Sequence, residues 1–243
     1  MKTFDVIIGG SGDIGLAIVM NFLERGRNVL YTYNANSDVV DLVNNANVFE
    51  CEAIALKLDT TSHDDILNLS VYIKSNQINV NNLIYNVGKT KDLLFKSMTE
   101  QDFMDVLNTN LIGCFRICKA LIDNIAINSG SIIIMSSISG VSARIGQVNY
   151  SCSKAALIAL GRNLAAEYAK LGLRVNSIAP GYIKTKMLDH FSDEKMKEIV
   201  KEIPMRKLGT VEDISNLVYF LTSSENKYIT GQTFIVDGGI LMR

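Results

Sequence analysis

Phe4-Asp-Val-Ile-Ile-Gly-Gly-Ser-Gly-Asp-Ile-Gly15 is the stretch that decides the fold. Phe4 to Ile8 is a compact apolar run typical of a buried strand, and an amphipathic helical pattern follows from about Ile14 to Arg25. The glycines between them let the backbone approach a pyrophosphate, and the helix N-terminus offers that group free N–H donors. This order predicts a dinucleotide site. The residues assigned to it are Gly9, Ser11, Gly12, Asp13, Ile14 and Gly15.

Short β-type runs alternate with helical stretches along the rest of the chain. Further strands are predicted over 28–33, 52–58, 82–85, 131–135, 173–178 and 232–236. The helical region from about Glu100 to Ile127 is long enough for two helices or one bent helix. This succession predicts a doubly wound α/β Rossmann fold with a parallel sheet of about seven strands and helices on both faces. No linker interrupts it, so residues 1–243 are assigned to one domain.

The composition narrows the class of protein. A net charge of −1 argues against a nucleic-acid partner, because no basic excess exists to neutralise phosphates. The absence of a long apolar run argues against a membrane span and a signal peptide, so a cytoplasmic protein is expected. Cys114 and Cys118 lie one helical turn apart, but the only histidines, His63 and His190, are distant in sequence. Buried thiols and no metal site are therefore predicted.

Tyr150 and Lys154 lie four residues apart, so on a helix they share one face. Tyr150 lies thirteen residues after Ser137. An ammonium beside a phenol favours the phenolate, and we expect it to lower the Tyr150 pKa from about 10 towards neutrality. A tyrosine in that state can exchange a proton at physiological pH. Alone, the pair proves little, because a tyrosine and a lysine one turn apart arise often by chance and a surface pairing is the default interpretation.

The end of the second strand bears on the choice of dinucleotide. An acidic residue there would bind the ribose 2′-hydroxyl of NAD, whereas an arginine would bind the 2′-phosphate of NADP. The segment Tyr31 to Ser37 carries neither charge. The missing carboxylate favours NADP(H), with NAD(H) left open, and Tyr33 and Asn34 are assigned to this end of the site.

Together these motifs resemble those of the short-chain dehydrogenase/reductase family, and most closely its 3-oxoacyl-[acyl-carrier-protein] reductase branch. The glycine turn resembles the family's TGxxxGxG, with Ile8 replacing threonine and Asp13 replacing the middle glycine. Tyr150 and Lys154 match YxxxK. The remaining matches are Asp59-Thr60, Asn86-Val87-Gly88, Asn110, Ser137, and the PGxxxT segment with Pro180, Gly181, Ile183 and Thr185.

The resemblance implies roles for these residues. Tyr150 would protonate the carbonyl oxygen, and Lys154 would lower its pKa and hold the nicotinamide ribose. Ser137 would orient the carbonyl, with Ser136 and Ser139 as less well spaced alternatives, and Asn110 would hold a water in a proton relay. The glycine turn, Asp59-Thr60, Asn86-Val87-Gly88 and the PGxxxT segment would bind the cofactor. Asp13 is predicted to cap the first helix or to interact with its dipole.

The resemblance also implies that the substrate is a 3-oxoacyl group on acyl carrier protein and that the reaction belongs to fatty-acid biosynthesis. Reductases of this branch act on an acidic carrier protein and tend to present basic residues to it. Here 123–131 contains no Lys or Arg, and only Lys170 and Arg174 remain near the end of the helix after Tyr150. A sugar or specialised-metabolite reductase and a non-catalytic dinucleotide sensor stay open as alternatives. A homotetramer, and a substrate-covering helical segment at about 186–210, are expected.

Overall fold

The computed structural model describes residues 2–35, 38–45, 51–189 and 191–242, and within them seven parallel strands form one sheet. The strands are β1 (Thr3–Ile8), β2 (Val29–Tyr33), β3 (Ala53–Lys57), β4 (Asn79–Tyr85), β5 (Ser131–Met135), β6 (Arg174–Pro180) and β7 (Thr233–Val236). Their order is β3-β2-β1-β4-β5-β6-β7. Since the strand order reverses between β1 and β4, the predicted doubly wound sheet is confirmed.

Helices cover both faces of this sheet. They are α1 (Asp13–Glu24), α2 (Asp38–Asn45), α3 (His63–Ser75), α4 (Glu100–Leu107), α5 (Gly113–Ile127), α6 (Val148–Tyr168), α7 (Asp193–Glu202) and α8 (Val211–Thr222). A cluster of buried apolar side chains lies beneath α3, α5 and α6, and a second lies beneath α1, α2 and α8. The sheet therefore has a core on each side.

The apolar sequence of β5 follows from these two cores. Ile132 and Ile134 pack in the first cluster, whereas Ile133 and Met135 pack in the second. Successive side chains of a strand point to opposite faces, so a strand covered on both sides needs no polar alternation. Fully burying each such side chain contributes about 1.5–3 kcal/mol.

β4 begins at Asn79, three residues earlier than its apolar pattern predicts. The polar residue in its middle is buried, because the Asn82 side-chain amide donates to the Asp5 carboxylate at 2.7 Å. The Arg27 guanidinium binds the other oxygen of Asp5 at 2.5 Å. The pairing with Asp5 engages the amide nitrogen of Asn82, while its side-chain oxygen is buried without a hydrogen-bond partner. A polar residue therefore occupies a central position of the strand, which the apolar pattern did not predict.

The long helical region predicted over 100–127 is two helices joined by a single π-turn. α4 starts with a capping box formed by Thr99 and Asp102, and Asn108–Ile112 form the π-turn that leads into α5. A π-turn inserts one residue into the helical repeat, so the side chains before and after it face different directions. Asn110 lies within this turn and is fully buried.

The segment after β6 leaves the sheet, and its two ends meet at one place outside the sheet. Ile183 forms an isolated parallel bridge with Gly209, and the Lys184 N–H donates to the Gly209 carbonyl at 2.9 Å. Between these points lie a short helical turn, Lys186–Leu188, and α7. The two ends of the predicted helical segment at about 186–210 are therefore held together by this bridge.

Candidate active site

A groove of about 1340 Å³ runs along the carboxyl ends of the strands, across the point where the strand order reverses. It extends from Tyr33 and Asp59 at one end to Tyr182 and Thr185 at the other. Of the predicted catalytic and cofactor-binding residues, all line the groove except Gly15 and Asn110. Open α/β sheets bind their ligands in this position.

The glycine turn forms the floor of the groove. Gly9 has a φ of +82°, its N–H donates to the Thr32 hydroxyl at 3.0 Å, and its carbonyl accepts from the Asn86 side chain at 3.1 Å. Gly15 packs against this turn so closely that a Cβ there would overlap the Gly9 carbonyl oxygen. Gly15 is thus needed for packing of α1 on the turn and does not itself reach the groove.

Asp13 behaves differently from the capping prediction. The residue before α1 is Gly12, and no side chain caps the helix. The Asp13 carboxylate instead accepts a hydrogen bond from the backbone N–H of Lys186 at 2.7 Å. The capping role is therefore wrong, although Asp13 does lie in the first turn, where a negative charge complements the helix dipole.

The far end of the groove is built around Asp59. Its carboxylate accepts from the Thr61 N–H at 2.8 Å and the Thr61 hydroxyl at 2.7 Å. These bonds hold the pKa of the Asp59 carboxyl below its usual value, and the Asn34 side chain also hydrogen-bonds it. No cation lies among the described lining residues at this end, which are Thr32, Tyr33, Asn34, Leu58, Asp59, Thr60 and Thr61. Asn36, Ser37 and His190 lie outside the described residues.

Tyr150, Ser137 and Lys154 meet at the other end. Ser137 follows β5 and hydrogen-bonds Tyr150 of α6. The Lys154 ammonium lies 5.6 Å from the centroid of the Tyr150 ring and donates to the Met135 carbonyl at 2.9 Å. A Cβ on Gly88 would lie 3.1 Å from that ammonium, so the glycine leaves room for it. The structure thus brings these three side chains together at one end of the groove.

The predicted lowering of the Tyr150 pKa is wrong for this structure. Burial raises the pKa of Tyr150, hydrogen bonding with Ser137 lowers it, and the charge of Asp92 raises it further. The Lys154 ammonium does not counter this effect, because it points to the Met135 carbonyl, and burial lowers its own pKa to about 8. Tyr150 therefore stays protonated at neutral pH, the form that an acid requires.

The Asn110 side chain hydrogen-bonds the backbone of the loop after β4 and does not point into the groove. Its side-chain oxygen accepts from the Lys89 N–H at 2.7 Å, and its amide donates to the Lys89 carbonyl and to the Ser153 hydroxyl, both at 2.9 Å. Ser153 in turn donates to the Tyr150 carbonyl at 2.7 Å. Both amide hydrogens are engaged, so Asn110 ties the loop after β4 to the first turn of α6.

Two further polar residues at this end, Gln147 and Asp92, were not predicted as site residues. They are linked by side-chain hydrogen bonds to each other and to Ser139, and all three line the groove. Gln147, which directly precedes α6, was detectable by its position three residues before Tyr150. Asp92 carries no such signal, because it meets Gln147 across 55 residues of sequence.

The positive charge assigned to a carrier-protein surface is largely absent. Arg174 is buried at the start of β6, where its guanidinium donates to the Leu221 carbonyl at 2.6 Å. Its expected exposure is therefore wrong, and Lys170 alone remains exposed in that segment. Lys89, Arg144 and Lys186 instead line the groove itself.

Other expectations concern metals and membranes. The Cys114 and Cys118 sulfurs lie 4.0 Å apart and buried in α5. Burial raises the pKa of the Cys114 thiol. The described part of the chain contains no group of three or more potential metal ligands. Nor does any helix in that part have the length and apolar character needed to cross a bilayer.

The residues present fit a dinucleotide. The glycine turn and the N-terminus of α1 lie midway along the groove, with Asp59 at one end and Lys154 at the other. A Cβ on Gly12 would meet no atom closer than 3.8 Å, which leaves space over the helix N-terminus for a phosphate.

Comparison with known proteins agrees with this geometry. A family model described as enoyl-(acyl carrier protein) reductase matches residues 10–241, and the chain belongs to the short-chain dehydrogenase/reductase family. It is therefore an oxidoreductase that uses a nicotinamide dinucleotide.

The chain is also similar to curated relatives along its whole length. It is 36% identical to the 3-oxoacyl-[acyl-carrier-protein] reductase FabG of Staphylococcus epidermidis, with 100% of both chains covered. It is 38% identical to the protein of that name from Rickettsia bellii, over 98% of this chain and 96% of the relative. The corresponding Staphylococcus aureus protein is 35% identical, over 98% and 97%.

Proposed function

We propose that the protein reduces the 3-oxo group of an acyl thioester on acyl carrier protein, as a step of fatty-acid biosynthesis. The observation that carries this proposal is the meeting of Ser137, Tyr150 and Lys154 at one end of a dinucleotide-sized groove. The names of the full-length relatives support the 3-oxoacyl substrate.

A reduced nicotinamide cofactor, held by the groove, would supply the hydride that the carbonyl carbon receives. Ser137 donates a hydrogen bond to the carbonyl oxygen, where negative charge develops. Tyr150 gives its phenolic proton to that oxygen, so the carbonyl becomes a hydroxyl. The charged Lys154 stabilises the phenolate left behind, and a proton from solvent restores Tyr150. Asn110 keeps the loop after β4 in place through its hydrogen bonds to Lys89 and Ser153, in place of the predicted contact with a relay water. The segment 186–210 covers the substrate.

NADP(H) is the proposed cofactor. The described residues Tyr31 to Ala35 at the end of β2 carry no carboxylate that would repel a 2′-phosphate. The remaining cofactor-binding assignments, including Asn86, Val87, Gly88, Pro180, Gly181 and Ile183, follow from their position along the groove. A kcat/KM at least about tenfold higher with NADPH than with NADH, worth about 1.4 kcal/mol, is the expected result.

A small ketone or a sugar is the second candidate substrate, favoured by the burial of Arg174, which removes a cation from the surface expected to meet a carrier. Lys89 and Lys186 at the groove favour an anionic substrate instead. Initial rates with acetoacetyl carrier protein, acetoacetyl-CoA, crotonyl-CoA, simple ketones and sugars separate the candidates. Faster turnover of both acetoacetyl thioesters is expected. Turnover of sugars alone, of the crotonyl double bond alone, or of nothing despite cofactor binding contradicts the proposal.

A homotetramer is proposed for the assembly. Met104 of α4 and Phe115 of α5 are large exposed apolar side chains, as is Ile235 of β7. Such patches support contacts between subunits. Light scattering of the purified protein tests this, and a monomer mass contradicts it.

A further inference from the structure

A chain of hydrogen bonds leads from Asp92 to the hydroxyl of Ser137. The Gln147 amide nitrogen donates to the Asp92 carboxylate at 2.8 Å, and the Ser139 hydroxyl donates to the Gln147 amide oxygen at 2.9 Å. The Ser139 backbone N–H then donates to the Ser137 hydroxyl oxygen at 3.1 Å. Ser137 completes the chain through its hydrogen bond with Tyr150.

The members of this chain come from three separate parts of the sequence. Asp92 lies in the loop after β4, Ser139 in the helical turn Ile138–Gly140 after β5, and Gln147 directly before α6. The backbones are tied together as well, because the Leu93 N–H donates to the Gly146 carbonyl at 2.8 Å. The Asn149 side chain also donates to the Lys91 carbonyl at 3.0 Å.

The direction of each bond is fixed by the carboxylate at its start. An ionised carboxylate only accepts hydrogen bonds, so it orients the nitrogen of the Gln147 amide towards itself. The amide oxygen then faces Ser139 and accepts a hydrogen bond from its hydroxyl. An uncharged partner would let the Gln147 amide adopt either orientation, and the wrong one would present its N–H groups to Ser139.

The consequence for Ser137 is a defined direction of its proton. One lone pair of its oxygen is occupied by the Ser139 N–H. Its own hydrogen is therefore directed to the groove side, where it meets the Tyr150 hydroxyl oxygen and where the carbonyl oxygen of a bound substrate would accept it. Ser139 is buried and Gln147 is half-buried, so water competes little with these two bonds, whereas Asp92 is exposed at the groove mouth.

We propose that Asp92 is a positioning residue that acts through Gln147 and Ser139 to hold the Ser137 hydroxyl as a donor towards the substrate carbonyl. This inference rests on the proposed carbonyl reduction. Thr90, whose hydroxyl donates to the other oxygen of Asp92, fixes the carboxylate itself.

An exchange of donor and acceptor tests the proposal. Gln147→Glu places two carboxylates together and removes the donor to Asp92, while the acceptor for Ser139 remains. We expect kcat with acetoacetyl-CoA to fall by about 10²-fold, since misplacement of a catalytic group has effects of that size. Asp92→Asn added to Gln147→Glu restores one donor and one acceptor, and should recover at least about tenfold of the loss. The KM for the nicotinamide cofactor should stay within about twofold throughout.

Asp123→Asn serves as the control, because Asp123 is exposed on α5, outside the groove lining. A Gln147→Glu variant with wild-type kcat, or a double variant no faster than Gln147→Glu, overturns the proposal.

Backbone hydrogen exchange over residues 137–147 gives a second readout that needs no turnover. Exchange should accelerate in Gln147→Glu and slow again in the double variant. If the wild type reduces no thioester, the proposed function fails, and unchanged exchange in Gln147→Glu then also rejects the network.

Discussion

The Asp13 carboxylate accepts a 2.7 Å hydrogen bond from the Lys186 backbone N–H, which joins the glycine turn to the segment after Thr185. The two residues are 173 positions apart in sequence. The first turn of α1 thereby holds the helical turn Lys186–Leu188 at the edge of the groove.

Replacing Asp13 with Ala should free this segment. A hydrogen bond to a charged group contributes about 1.5–3 kcal/mol, so local opening should become at least about tenfold more frequent. Trypsin cleavage at the lysines of 184–201 reports the opening. Asp13→Asn retains an acceptor oxygen and should be cleaved more slowly than Asp13→Ala; equal cleavage of wild type and Asp13→Ala contradicts the role of this contact.

Removal of the Tyr150 hydroxyl should abolish most reduction. In Tyr150→Phe we expect kcat to fall by about 10²–10⁴-fold, the usual contribution of a positioned acid, with the cofactor dissociation constant little changed. Stopped-flow and cofactor fluorescence measure the two quantities. Tyr168→Phe, a substitution in the last turn of the same helix, is the matched control. Full activity in Tyr150→Phe would falsify the proposed acid.

Activity should decline on the alkaline side as Lys154 loses its proton. Burial lowers the Lys154 pKa to about 8, while Tyr150 stays protonated well above that pH. Because kcat/KM reports the free enzyme, its value for reduction should fall as pH rises through about 8. A profile that is flat to about pH 10 is incompatible with a need for charged Lys154.

The same shift predicts how stability depends on pH. Between about 8 and the unfolded value of 10.5, the unfolded chain holds the Lys154 proton and the folded chain does not. Stability therefore rises with pH across this window, by roughly 2–3 kcal/mol from this group, whereas below about 8 both states are protonated. The wild type should gain this amount over Lys154→Met between pH 7.5 and 10.5 in denaturant titrations. An unchanged difference contradicts a lowered pKa.

Two glycines of the turn should differ sharply when replaced with alanine. A methyl group at Gly15 overlaps the Gly9 carbonyl, whereas one at Gly12 meets no atom within 3.8 Å. We expect Gly15→Ala to lower the free energy of unfolding by about 3 kcal/mol or more and Gly12→Ala by under about 1 kcal/mol. Denaturant unfolding compares them, and equal losses refute the packing role of Gly15.

Local spacing made part of the site predictable. The glycine turn and the Tyr150/Lys154 pair each lie within one strand–helix unit, so their geometry follows from the 3.6-residue repeat and the strand–turn–helix order. The strand that precedes Ser137 was predictable because its sequence is apolar almost throughout, which is what burial of both its faces requires. Parallel strands then bring these segments to one edge of the sheet.

Contacts between distant segments were not predictable. Lys154 points to the Met135 carbonyl, a partner that no spacing rule indicates. Burial then raises the pKa of Tyr150, which is opposite to the expected direction. Arg174 is charged and follows a glycine-ended turn, which favours exposure, yet the Leu221 carbonyl at the end of α8 binds it inside the protein. Each depends on tertiary packing, which a single sequence does not encode locally.

The bridge between Ile183 and Gly209 has a consequence for the evolution of the enzyme. Because Ile183 and Gly209 are held side by side, the two ends of residues 184–208 stay at a fixed spacing, and a segment of another length could join them at a modest entropic cost. On the proposed role of this segment as a substrate cover, substrate preference would be carried by a piece of chain separate from Ser137, Tyr150 and Lys154. Grafting the segment from a relative would then change the substrate range while the sheet and these three residues stay in place.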